Sequence, residues 1–157
     1  MARSKKRDEH PTADVLRQRL AATNLARQFG FVLTTAESGH VIIEMPVDER
    51  HKQTHGVVHG GVMAALADTA GGLATYMACP PGKRVATIEM KVNYLEAVSS
   101  GRVSADARVV RLGAHVAVVD CDVRDETHRL VGKALMTFFV APLDKKGQKP
   151  KKARRPR

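Results

Sequence analysis

One long apolar segment followed by four strand-like segments limits most strongly what this chain can fold into. In Val85–Glu96 the residues Ala86, Ile88, Met90, Val92 and Tyr94 alternate with Thr87, Glu89, Lys91 and Asn93. A period of two is the mark of a strand with one apolar face. Val103–Leu112 reads as another strand. In His115–Arg124 the residues Ala117, Val119, Cys121 and Val123 share a face, and Leu130–Val140 is apolar on both. Gly113-Ala114 and Asp125–His128 have the composition of hairpin connections. Before these strands, a glycine-rich stretch from His55 to Gly61 leads into a long helix to about Ala78, closed by Pro80, Pro81 and Gly82. Further upstream, Asp14–Gly30 reads as a short amphipathic helix with Val15, Leu16, Leu20 and Leu25 apolar, and Val41–Val47 as a strand. Strands joined by short turns run antiparallel, and one long helix must cover a face of their sheet. The fold class is therefore α+β, a curved antiparallel sheet wrapped around a long central helix. Dinucleotide-binding and P-loop folds are excluded, because strand–helix alternation and a glycine-rich phosphate motif after a strand are both missing.

The 157 residues carry a formal charge of +10, which raises the question of nucleic acid. Its distribution answers most of it. Residues 144–157 hold eight Lys/Arg against Asp144, a net +7, and residues 1–10 contribute +2, which leaves +1 for the body. We expect a basic disordered arm over 1–12, one domain over 13–142 and a basic disordered tail over 143–157, since the tail has little apolar surface to offset its ordering entropy. The tails could contact nucleic acid or another acidic partner, but no aromatics interleave to support base stacking. No apolar run approaches the length of a membrane span. The first ten residues lack the apolar stretch of a secretory signal. Two cysteines, Cys79 and Cys121, read as packing residues in a reducing, cytoplasmic compartment.

The chemistry concentrates in His51–Gly72. Asp68 stands in an apolar helix between Ala67 and Thr69, with Leu66 and Ala70 beyond. A carboxylate placed so is costly unless something pairs with it or uses it. At about 100° per residue, Gly61, Ala64, Ala65, Gly72 and Thr75 fall within about 60° of Asp68, whereas Val62, Met63, Leu66, Leu73 and Met77 lie about 120–180° away. The large face suits the sheet. The small face leaves room for a ligand or a second chain. Gly60 and Gly61 would open the helix and leave backbone N–H groups unpaired at its positive end, where a carbonyl oxygen gaining charge can be held.

His51, His55 and His59 are spaced by four, which on a helix would imitate a metal site. Gly56, Val57, Val58 and Gly60 make such a helix untenable, and the glutamate of the zincin pattern is missing. No metal is expected, and His59 is assigned to orienting the loop or contacting substrate.

The set His59-Gly60-Gly61, Asp68 nine positions after His59, and Thr87-Ile88-Glu89-Met90-Lys91-Val92-Asn93-Tyr94 resembles the hotdog-fold acyl-CoA thioesterases. The similarity is to the phenylacetate-degradation subfamily, related to 4-hydroxybenzoyl-CoA thioesterase, and it covers roughly residues 37–142. It implies a hotdog fold and a homodimer whose sheets join, often paired again into a tetramer. The active site then lies between subunits. By the same resemblance the Gly60 N–H polarises the thioester carbonyl and Asp68 of the facing subunit acts as general base or nucleophile. Thr87 helps to place Asp68 or the water, and Gln53 stands where the family usually has asparagine. Gln53 keeps the amide donor and adds a methylene. His59 and Gly61 fall to the substrate side, and Arg111, beside Gly113, is a candidate for the CoA phosphates. The implied reaction is hydrolysis of an aryl or medium-chain acyl-CoA. It needs no cofactor, coenzyme A being part of the substrate. Two other readings stand beside it: a hydratase or dehydratase acting on acyl thioesters, and a non-catalytic acyl-CoA-binding protein whose basic tails contact nucleic acid.

Overall fold

The computed structural model describes residues 12–143. The arm expected over 1–12 and the tail over 143–157 lie outside the described residues except for Thr12 and Leu143. The elements are α1 (Ala13–Ala21), α2 (Asn24–Phe29), β1 (Val32–Glu37), β2 (His40–Pro46), a 3-10 turn (Glu49–His51), α3 (Gly60–Ala78), β3 (Lys83–Tyr94), β4 (Arg102–Leu112), β5 (Val116–Asp125) and β6 (Leu130–Pro142). The strands form one six-stranded sheet in the order β1-β2-β4-β5-β6-β3, each pair antiparallel. Helix α3 packs across one face. No helix among the described residues is long and apolar enough to cross a membrane.

The core lies between α3 and the sheet. Leu66, Ala67, Ala70 and Ala74 of the helix are fully buried, as are Ala105, Ala107, Ala117 and Cys121 of the strands. Small residues on both layers let them approach closely. Gly71 shows how closely: a Cβ there would lie 2.6 Å from Met136 Cε and 3.0 Å from Phe138 Cζ. Fully burying a residue such as Leu66 is worth about 2 kcal/mol, so the helix is held chiefly by this face.

The structure corrects four details. The helix expected over Asp14–Gly30 is two helices, because Thr23 caps the second: its hydroxyl accepts from Ala26 N–H (3.2 Å) and donates to Leu20 O (2.8 Å). Val15 and Leu25 are consequently exposed. A strand preceding the expected one, β1, pairs with β2 through a turn at Gly39, whose φ of 76° glycine adopts without strain. The third concerns the small face of α3: Thr75 is buried, its hydroxyl donating to Gly71 O (2.9 Å). The fourth is the connection from β3 to β4. It is not a hairpin, since β3 crosses to the far edge and pairs with β6.

Candidate active site

Among the described residues, one cavity opens at the start of α3 and another at its middle. The first, of about 660 Å³, is lined by Gln53, His59, Gly60, Gly61, Tyr94 and neighbours. Its geometry begins with a tight hairpin loop. Gln53 N–H donates to Val57 O and Gly56 N–H to Gln53 O (2.9 Å each), and Gly56 has a φ of 75°. That loop delivers the chain to His59, the N-cap of α3. The His59 Nδ1 accepts from Gly61 N–H at 2.9 Å, and His59 O accepts from Val62 N–H (2.9 Å) and Met63 N–H (3.3 Å). The first turn therefore spends every donor except one. Gly60 N–H has no partner among the described residues. It points from the positive end of a 19-residue helix. A Cβ on Gly60 would lie 2.9 Å from Tyr94 Cζ, so any larger residue here must displace the half-exposed Tyr94 ring.

The second cavity, of about 600 Å³, lies around Asp68 and is walled by Leu16, Leu20, Leu25, Phe31, Leu73, Val85 and Phe138. Asp68 is half-buried at its side. The Thr87 hydroxyl donates to Asp68 Oδ1 at 2.7 Å. Strict alternation along β3 would turn Thr87 away from the helix if Met90 and Val92 face it. A β-bulge between Thr87 and Glu89 resets the register, so that Val85, Thr87, Met90 and Val92 all serve the helix side, and Ile88 is 55% exposed. One extra residue in the ladder thus re-aims a hydroxyl at the carboxylate.

The remaining expected site residues are placed as follows. Gln53 is exposed in the loop beside Gly60. Gly61 lines the same cavity, but its N–H is held by His59. Arg111 is exposed on β4 opposite Val118 and lines neither cavity. His51 is fully buried: its Nδ1 accepts from Asp48 N–H at 3.0 Å, and its Nε2 has no partner among the described residues. His51 O also accepts from His59 N–H (2.8 Å), so this residue braces the loop. Among the described residues no three of His, Cys, Asp and Glu come together as a metal site. Burial pushes the Cys121 thiol up to about 12, with Asp106, Asp122 and Asp120 adding to it, and neither cysteine lines either of these two cavities. Tyr94, the bulge at Ile88 and the α1–α2 wall were not foreseen. Tyr94 closes the sequence motif and could have been suspected from it, whereas a bulge leaves no sequence signal here.

The pattern of the thioesterase superfamily matches residues 55–132. A Haemophilus influenzae protein classed by name among the esterases is 34% identical over 124 residues, 79% of this chain and 90% of that one. The chain belongs to the thioesterase superfamily. Its other relatives include the proofreading thioesterase EntH of Klebsiella pneumoniae, 35% identical over 70% of this chain and 85% of that one. A 1,4-dihydroxy-2-naphthoyl-CoA hydrolase of Escherichia coli is 32% identical over 61% and 71%. A solved thioesterase from Haemophilus influenzae superposes with a TM-score of 0.82 at 32% identity, covering 90% of this chain and 98% of that one. A Streptococcus mutans protein solved bound to acetyl CoA superposes at 0.68 with 30% identity over 73% and 91%. The hotdog architecture expected from the motif is the one observed, and this member of the superfamily is a thioester hydrolase by kinship.

Proposed function

We propose that the chain hydrolyses acyl-CoA thioesters at a site shared by two subunits, with Gly60 of one and Asp68 of the other acting on the same carbonyl. One observation carries this. Within a single α3, Gly60 and Asp68 are eight residues apart, which is about 12 Å along the axis and about 80° around it. An oxyanion donor and a general base must each come within about 3 Å of one reacting group. One chain does not meet that demand, and a two-fold partner would.

The sheet edges support the pairing. At the β1 edge Arg17 covers the backbone, donating to Leu33 O (3.1 Å) and Thr34 O (3.2 Å). The β3 edge is 12 residues long, free of proline and pairs on one side only. Such an edge is a template for another strand, and a second copy of β3 offers a self-complementary one. Antiparallel β3 strands would set two α3 helices antiparallel, bringing the start of one toward the middle of the other.

In the reaction, Asp68 takes a proton from water as the oxygen attacks the carbonyl carbon. The developing oxyanion is held by Gly60 N–H. The C–S bond then breaks, and the leaving CoA thiolate takes up the proton held by Asp68, giving free acid and CoA and restoring the carboxylate. Thr87 fixes the carboxylate, and Gln53 and His59 border the carbonyl end. Asp68 acting as nucleophile instead would pass through an anhydride, and labelled water would tell the two apart. The apolar cavity beside Asp68 suits an aryl or medium-chain acyl group, consistent with a relative named for a naphthoyl-CoA. No cofactor enters this chemistry, and the two thiols, neither in a disulfide, suit a reducing cytoplasm.

The test is thiol release from phenylacetyl-, hydroxybenzoyl- and short-, medium- and long-chain acyl-CoAs, for wild type and Asp68→Asn together. Release that disappears in the folded variant supports the reading. Equal turnover in both would remove Asp68 from the chemistry. No release from any thioester would favour a binding protein.

A further inference from the structure

The cavity around Asp68 has one cation among its described lining residues, Arg19. It sits in the last turn of α1, between the buried Leu16 and Leu20 that form the cavity wall. Its neighbours on the helical pair are tied down: Arg17 to Asp14 (2.8 Å) and to β1 carbonyls, Arg27 to Asn24. The Arg19 side chain makes no hydrogen bond or ion pair among the described residues. The threonines that line the same space spend their protons elsewhere. Thr23 donates to Leu20 O, Thr69 to Ala65 O (2.7 Å) and Thr87 to Asp68. An exposed guanidinium with no partner among the described residues therefore borders a largely apolar chamber, whose other charged lining residue is Asp68.

We propose that Arg19 is a specificity-determining residue, and that the preferred acyl group carries an anionic oxygen, a carboxylate, at the end away from the thioester. This rests on Asp68 marking the thioester end of the cavity. A guanidinium presents paired donors that match a carboxylate, and Arg19, exposed among the lining residues of this cavity, has those donors free of any described partner. An acyl chain with Asp68 at one end and Arg19 at the other also has its direction fixed, since the reverse pose would set its carboxylate against Asp68.

Matched thioesters test this: adipoyl-CoA against hexanoyl-CoA, and 4-carboxybenzoyl-CoA against benzoyl-CoA, with 4-hydroxybenzoyl-CoA as the neutral oxygen. Wild type is expected to favour the carboxylated member of each pair by about tenfold in kcat/KM, the weight of one charge-assisted hydrogen-bonded pair. Arg19→Met should erase that preference while leaving hexanoyl-CoA and benzoyl-CoA within about twofold of wild type, and Arg19→Lys should restore part of it. A preference unchanged in Arg19→Met would overturn the proposal, as would an equal loss on every substrate, which would place Arg19 against the CoA moiety or the fold. A preference for the hydroxyl probe over the carboxylate would overturn the anionic assignment. If wild type cleaves no thioester, the hydrolase reading fails by itself. Calorimetry with adipate and hexanoate on wild type and Arg19→Met then decides this one: tighter adipate binding that vanishes in the variant sustains it, and equal binding ends it.

Discussion

Asp68 is positioned by one hydrogen bond from a neighbouring strand, and that bond divides its roles from those of Thr87. Asp68→Asn keeps the shape and a hydrogen-bond acceptor for Thr87, so it is expected to fold normally. It should lose at least about a hundredfold in turnover, the lower range for a general base. Thr87→Val keeps the bulk and removes the donor. It should lower kcat about tenfold, in line with one hydrogen bond to a charged group, with Thr87→Ser close to wild type in the same assay. Undiminished kcat in Thr87→Val would show that the carboxylate needs no holding. Much of this was legible in the sequence. A carboxylate among alanines and a His-Gly-Gly start already marked the two groups of the proposed chemistry and the helix joining them. That Gly61 N–H would be consumed by His59 was not legible, because the choice between two adjacent N–H groups turns on one imidazole rotamer.

Among the elements, β3 shows where period counting stops short. Alternation located the strand, but the bulge at Ile88 inverts the faces on either side of it, and no residue type announces it. The edge position of β3 was equally hidden, since short connections suggest neighbours and this strand crosses the sheet instead. The helix α3 was legible nearly to its ends, since Gly60 and Pro80 bracket it. Its fit to the sheet sets a stability test. Gly71→Ala pushes a methyl toward Met136 and the Phe138 ring and should cost about 1–3 kcal/mol in urea unfolding. An unchanged midpoint would mean that the layers are looser than described. On the outer face of the sheet, Lys133 bonds Asp120 and Asp122 at 2.6 Å each. Burial pushes the Asp122 carboxyl up, but hydrogen bonds from Lys133 and Arg124 outweigh it, and the net value lies below 3.8. A depressed folded value means stability present above 3.8 and lost as pH falls through it. Lys133→Met should therefore flatten the fall in stability between neutral and acid pH, read as unfolding midpoints. An acid fall as steep as wild type's would show the cluster to be irrelevant to it.

At the scale of the whole molecule the two halves of the proposed chemistry sit on one helix yet too far apart to meet, and one long sheet edge is left unpaired. Both facts fit the proposed two-fold dimer, in which every site would take Gly60 from one chain and Asp68 from the other. Subunit mixing tests this most directly. Asp68→Asn and Gly60→Ala proteins, the second keeping its N–H but carrying a Cβ that meets the Tyr94 ring beside it, are each confirmed folded and inactive alone, then unfolded together, refolded and assayed. In a mixed dimer one site inherits both intact groups and the other neither. Random assortment should then restore about a quarter of wild-type turnover per subunit. Recovery near that level is the expected result. A mixture as inactive as its parents, with mixed dimers shown to be present, would contradict the shared site and return both groups to a single chain.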